Sequence, residues 1–239
     1  MGRAHEVRKA AMAKTAAAKT KVYSKYGKEI LIAAKSGVPD PDMNLTLRRV
    51  IERAKKAQVP ADIIKRAIDK VKSGAGEDYT TAIYEGFGPG ASTVIVYCLT
   101  DNLNRSVSEV RAAFTKSQGK LGVGGSVMHN YNHVALVACK GISEDQALEA
   151  LLMAEVDVKS IATEDDEVVV YAEPSDRDIV TETLESIEGA VIETSEVTYV
   201  PENDEYVTLQ GENKELFERL LQKLEDIEDV QEIYHNVEL

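Results

Sequence analysis

The amino-acid sequence predicts an α+β protein, with an N-terminal three-helix domain followed by two α+β domains, one inserted in the other. Three observations predict it. The charge breaks after the glycines of Gly74–Gly76: residues 1–76 carry 18 Lys/Arg against 7 Asp/Glu, a net of +11, whereas residues 77–239 carry 10 against 34, a net of −24. At the same point the apolar spacing changes from the 3.6-residue period of helices to the alternation of strands. Beyond it, strands and helices follow one another in an order that spells the same six-element unit twice.

The basic segment reads as helical because it is rich in Ala, Lys and Arg and is punctuated only by Gly27, Gly37 and the VPDPD turn. A first helix is expected from about Glu6 to Lys35, with Gly27 the one point at which it could be interrupted. A second follows Asn44, an N-cap residue, and carries Leu47, Val50, Ile51 and Ala54 at i, i+3, i+4 and i+7. A third opens at Pro60, where proline suits the first turn. It repeats the stripe with Ile63, Ile64, Ala67, Ile68 and Val71 before SGAG stops it. Three amphipathic helices can cover each other's stripes, so a small bundle is expected.

In the body, strands are expected at STVIVYCLT, GSVMHNY, HVALVAC, EVVVYAE, AVIETSEVTYV, EYVTLQ and VQEIYHN, with helices near 104–118, 143–155, 175–188 and 212–227. The acidic run Glu164–Glu167 reads as a hairpin turn. Residues 133–200 then give strand, helix, strand, strand, helix, strand, the ferredoxin-like order, and the flanks joined across the gap give it again. The expected domains are 1–76, then 77–132 joined with 201–239, and the inserted 133–200.

A whole-chain net charge of −13 and pI of 4.9 would argue against a polyanion partner; the split reverses that inference. On the first helix Lys14, Lys21, Lys25 and Lys28 fall at i, i+7, i+11 and i+14, within one narrow arc. Val22, Tyr23, Tyr26 and Ile30 take another face. Like charges gathered on one face repel unless a polyanion neutralises them, so the arc is a candidate phosphate-tracking surface. The second helix adds Arg49, Arg53 and Lys56 on one face with Arg48 and Lys55 beside them, and the N-terminus adds Arg3, Arg8 and Lys9. The bland alternative is a set of solvated helix faces. Tyr23 and Tyr26 either stack on bases or pack against the other helices.

Other motifs point away from catalysis. YEGFGPGAS lacks the lysine and Ser/Thr of a phosphate loop and precedes a strand, which suits a tight turn. TDNLNRS hands a strand over to a helix: Asp101, Asn102 and Asn104 can cap it, and its first amides with Arg105 could receive an anion. GKLGVGGS reads as a flexible loop. His129 and His133 are four apart, a metal-pair spacing on a helix, yet they sit at a strand end with no third ligand nearby in sequence. Cys98 and Cys139 lie in β-branched runs as packed thiols. No nucleophile elbow or zinc quartet is visible, so neither a cofactor, a metal nor an enzyme is expected. No apolar run long enough to cross a bilayer occurs, and the first twenty residues lack the core of a signal peptide; the expectation is a cytoplasmic chain with no membrane partner.

Long blocks of the chain resemble the YebC/PmpR family, the probable transcriptional regulators of bacteria whose mitochondrial relative is a translational activator of cytochrome c oxidase. The blocks are VYSKYGKEI, AAKSGVPDPDMN, LRRVIERAKKAQVPADIIKRAIDK, YEGFGPGAS, TDNLNRSVSEVR, GKLGVGGSV and LMAEVDV, in the family's order and over nearly the full length. The resemblance implies a basic three-helix domain, two α+β domains, no catalytic residue, and binding to promoter DNA or action at the ribosome. The chain departs from the family at its start: GRAHEVRKA replaces the usual Lys-Trp pair, and there is no tryptophan. The expected function is therefore non-enzymatic regulation through duplex DNA, with ribosomal or transfer RNA and relief of stalling as the alternative. An enzyme built on Asp101, Arg105 and a histidine, or a protein-interaction role of the acidic body, are the readings from other classes.

Overall fold

The computed structural model describes residues 16–76 and 78–238. Three helices come first: α1 (Ala16–Lys35), α2 (Leu45–Lys56) and α3 (Ala61–Lys72). The first helix runs without interruption through Gly27, where a Cβ would make only ordinary contact with Ile63 of α3, at 3.9 Å. Asn44 caps α2 by accepting from the Leu47 amide at 3.0 Å, while its own amide donates to the carbonyls of Ala33 and Val38. The expected stripe is the core: Leu47, Val50, Ile51 and Ala54 are buried against Ile30, Ala33, Ala34, Ile64 and Ala67, with Tyr23, Tyr26, Ile63, Ile68 and Val71 packed around them. Both tyrosines thus take the packing role.

The body contains two four-stranded sheets. The first joins β1 (Thr80–Phe87), β2 (Thr93–Thr100), β3 (Lys120–Leu121) and β9 (Val230–His235) in the order β3-β1-β2-β9. Helices α4 (Leu103–Lys116) and α7 (Gly211–Glu225) cover one of its faces, through Val94, Val96, Cys98, Val110, Phe114, Phe217, Leu220 and Leu224. The second joins β4 (Tyr131–Lys140), β5 (Val158–Glu164), β6 (Glu167–Ala172) and β7 (Val191–Pro201) in the order β5-β6-β4-β7. Its helices α5 (Glu144–Met153) and α6 (Arg177–Glu185) pack over Ala135, Val137, Cys139, Val168 and Val170. This is the ferredoxin-like arrangement, inserted between β3 and the short β8 (Val207–Thr208), which pairs in parallel with β10 (Val237–Glu238). Asp165 and Asp166, at φ +48° and +63°, make the two-residue turn between β5 and β6.

Three local expectations change. The stretch Tyr84–Phe87 lies inside β1, and only Gly88–Ser92 turns, with the Gly88 amide donating to the Ser92 carbonyl at 2.9 Å. The segment GSVMHNY is a short 3₁₀ turn, not a strand. The Glu85 carboxylate accepts from the amides of Gly125, Val127 and Met128 at 2.6, 2.7 and 2.8 Å, taking donors that a ladder would need. Finally, EYVTLQ supplies only two strand residues, Val207 and Thr208, while β2 takes β1 as its hairpin partner.

The two α+β units meet through aromatic side chains. Tyr131, Ile95 and Val127 form a small cluster with Tyr199 and Tyr234; Tyr199 lies edge-on to Tyr234 at 5.1 Å and stacks on His133 at 4.5 Å. Among the described residues no helix is long and apolar enough to cross a membrane.

Candidate nucleic-acid interface

The described part of the lysine arc, Lys21, Lys25 and Lys28 of α1, is not an open surface, because the acidic body lies against it. Lys25 forms an ion pair with Glu232 of β9. Lys28 is buried, at 6% exposure. Its Nζ donates to Asp229 Oδ1 at 3.3 Å and to the Glu228 carbonyl at 3.1 Å, and it lies 5.4 Å from the centre of the Tyr79 ring. Burial pulls the Lys21 ammonium below the usual lysine value, against the charges of Glu225 and Asp226, which favour the protonated form. Helical spacing correctly places these lysines on one face; what that face meets is decided by residues two hundred positions away.

Asp229 is the hub of this contact. Only 2% exposed, it accepts from Thr100 Oγ1 at 2.9 Å, Ser106 Oγ at 2.8 Å and Arg105 Nη2 at 2.7 Å, as well as from Lys28. Burial alone would raise its pKa; the hydrogen bonds of Arg105, Ser106 and Thr100 and the charge of Lys28 overcome it and hold the carboxyl below the usual range. The TDNLNRS run caps its helix as expected, but its first amides hold no anion: they are used within the run, and side chains take that part. Asn102 caps α4 by accepting from the Arg105 amide at 3.1 Å, and Arg105 with Ser106 receives an anion, the protein's own Asp229. No sequence motif singles Asp229 out among 34 acids.

The second helix points its cations outward. Arg48, Arg49, Arg53, Lys55 and Lys56 are all exposed. Three of them have acidic neighbours: Arg49 reaches Asp178 of α6 at 3.0 Å, Arg53 reaches Glu29 of α1 at 3.1 Å, and Arg48 lies 4.0 Å from Asp42. Lys55 and Lys56 have no acidic partner among the described residues. The third helix adds Lys65 and Lys72 in the same condition, and Arg66, which pairs loosely with Asp62 at 3.9 Å. These α3 cations were missed from sequence, although their phase opposite the buried Ile64 and Ala67 is legible there. Arg3, Arg8, Lys9 and Lys14 lie outside the described residues.

Arg105 meets Asp101 at 2.7 Å, and among the described residues no histidine joins the pair. Arg105 borders an open trough of about 520 Å³ with Glu109, Lys116, Lys223, Asp226 and Glu228, none of them a histidine or a nucleophile. His133 is stacked on Tyr199, and His129 Nδ1 lies 3.1 Å from the Gly125 carbonyl. Both thiols are free and buried, with burial pushing Cys98 up to about 12 and Cys139 up to about 11. Among the described residues no cluster of three His, Cys, Asp or Glu side chains stands ready for a metal.

Two family models cover the chain. The TACO1/YebC protein N-terminal domain matches residues 3–74, and the TACO1/YebC second and third domain matches residues 79–237. The chain belongs to the TACO1/YebC family. This YebC-family chain is 52% identical over 240 residues to a probable transcriptional regulatory protein of Pseudoalteromonas translucida, covering 99% of this chain and 98% of that one. It is 50% identical over 240 residues to a probable transcriptional regulatory protein of Marinobacter nauticus, covering 100% and 99%. A crystal structure of a conserved hypothetical protein from Aquifex aeolicus superposes with a TM-score of 0.76 at 36% identity, covering 95% of this chain and 93% of that one.

Proposed function

We propose that this YebC-family chain is a non-enzymatic regulator of gene expression that binds nucleic acid, duplex DNA first, through the outward cations of its helical domain. The observation that carries the reading is the exposed, acid-free set Lys55, Lys56, Lys65 and Lys72 on α2 and α3, flanked by Arg48, Arg49, Arg53 and Arg66. Beside it stands a body of net charge −24, which repels a polyanion and confines it to one end. The names of the relatives in Pseudoalteromonas and Marinobacter support a role in transcription.

Such contacts are made to phosphates and read no bases, so affinity depends steeply on salt. Each neutralised phosphate contributes a log–log slope near −0.9; four contacts weaken binding roughly 150-fold between about 50 and 200 mM salt. The test is a titration of a fluorescent 20-base-pair duplex with the full chain and with K55E/K56E/K65E, in parallel with a ribosomal RNA fragment. Salt-dependent duplex binding that the triple reversal abolishes supports the reading. Salt-independent binding, or a triple reversal that binds as the parent does, overturns it; stronger binding to the RNA fragment at physiological salt transfers the function to RNA.

A further inference from the structure

We propose that α1 carries a second polyanion-binding face, and that the acidic segment 225–232 holds it shut by standing where phosphates would stand. The proposal rests on the nucleic-acid reading above and adds a gate to it. On one face of α1, Lys25 pairs with Glu232 and Lys28 with Glu228 and Asp229, while Lys21, one turn before Lys25, lies in the field of Glu225 and Asp226.

The two ends of this contact differ in strength. At the inner end Lys28 and Asp229 are both buried, and Asp229 is further held by Arg105, Ser106 and Thr100, so this pair is a permanent joint. At the outer end Lys25 and Glu232 keep 23% and 46% side-chain exposure, the Glu228 side chain is 82% exposed and 4.0 Å from Lys28, and Glu225 and Asp226 are exposed. Water reaches the outer pairs, and ion pairs in contact with water contribute little and are screened by salt. A multivalent polyanion already docked on α2 and α3 presents its next phosphates at high effective concentration, which favours exchange of carboxylate for phosphate at Lys25 and brings phosphate beside Lys21. The geometry thus makes the lysine arc conditional: occupied by the body at rest, and available when a polyanion on the same domain competes the outer carboxylates away.

The test compares E225Q/E228Q/E232Q with E149Q/E185Q/E188Q. The second set removes the same three charges from exposed positions of the inserted domain. Asp229 is left intact in both, so the joint and the fold are kept. Binding of the same 20-base-pair duplex to the full-length proteins is measured across salt. The first variant is expected to bind several-fold tighter than the second at about 100 mM salt, with a log–log slope steeper by 1 to 2, one increment of about 0.9 per phosphate gained. Lys25→Gln is expected to weaken binding several-fold more in E225Q/E228Q/E232Q than in the parent, and to remove most of the gain of that variant. Superposition of the two glutamine variants, or an equal loss from Lys25→Gln in both backgrounds, overturns the gate while leaving the α2–α3 reading intact. A parent that fails to bind while E225Q/E228Q/E232Q binds overturns that reading and leaves the gate standing. Failure of every protein to bind overturns both.

Discussion

Replacing Asp229 by alanine tests the joint between the helical domain and the body. The carboxylate is 2% exposed and accepts from Lys28 Nζ, Thr100 Oγ1, Ser106 Oγ and Arg105 Nη2, at distances between 2.7 and 3.3 Å. Asp229→Ala leaves the Lys28 ammonium, 7% exposed, with the Glu228 carbonyl and the Tyr79 ring as its buried company. Breaking a buried pair from one side costs about 3–5 kcal/mol, because the charge left behind loses its compensation without regaining water. Urea denaturation followed by circular dichroism reads that cost directly. Adding Lys28→Met removes the stranded charge, so the double variant is expected to recover part of the loss and not to add to it. The pH dependence has a fixed sign. A carboxylate held below its unfolded value of about 4 contributes fully above that pH and loses its contribution as pH falls through the folded value, so parent and Asp229→Ala converge in acid. A loss below about 1 kcal/mol at neutral pH, or strictly additive costs in the double variant, refutes the role of a buried joint.

Three further predictions rest on separate parts of the structure. Glu85→Gln removes the charge that fixes the amides of Gly125, Val127 and Met128; hydrogen exchange at these three is expected to accelerate, with a cost of about 1.5–3 kcal/mol that disappears in acid, and unchanged exchange rejects the clamp. Ser143→Ala deletes a capping box in which the Ser143 hydroxyl accepts from the Gln146 amide and Gln146 accepts from the Ser143 amide; the expected cost in urea is about 1 kcal/mol, and a neutral result contradicts it. Cys98 and Cys139 should resist a water-soluble disulfide reagent at pH 8, where roughly one thiol in a thousand or fewer is ionised, and react on unfolding; rapid reaction of the folded chain counts against their burial.

Much of the fold was legible because its causes are local. The spacing of Leu47, Val50, Ile51 and Ala54 names a buried helix face whatever covers it, and the runs around Cys98 and Cys139 name central strands. The misread pieces are those whose backbone hydrogen bonds depend on a distant group. Glu85 captured the amides of an expected strand, and EYVTLQ keeps only two strand residues, paired with β10. Of the candidate site, charge and phase were visible but partners were not: Lys25 and Lys56 look alike in sequence, yet one is paired with Glu232 and the other is exposed with no acidic partner among the described residues.

By itself, the sequence determined the family, the α+β class, the helical periodicity of the first domain and the separation of charge between it and the body. Tertiary structure alone decided which cations face solvent. A charge's phase on its helix depends on 3.6 residues per turn, whereas its partner depends on how elements such as α1 and β9, some 200 residues apart, are brought together by packing.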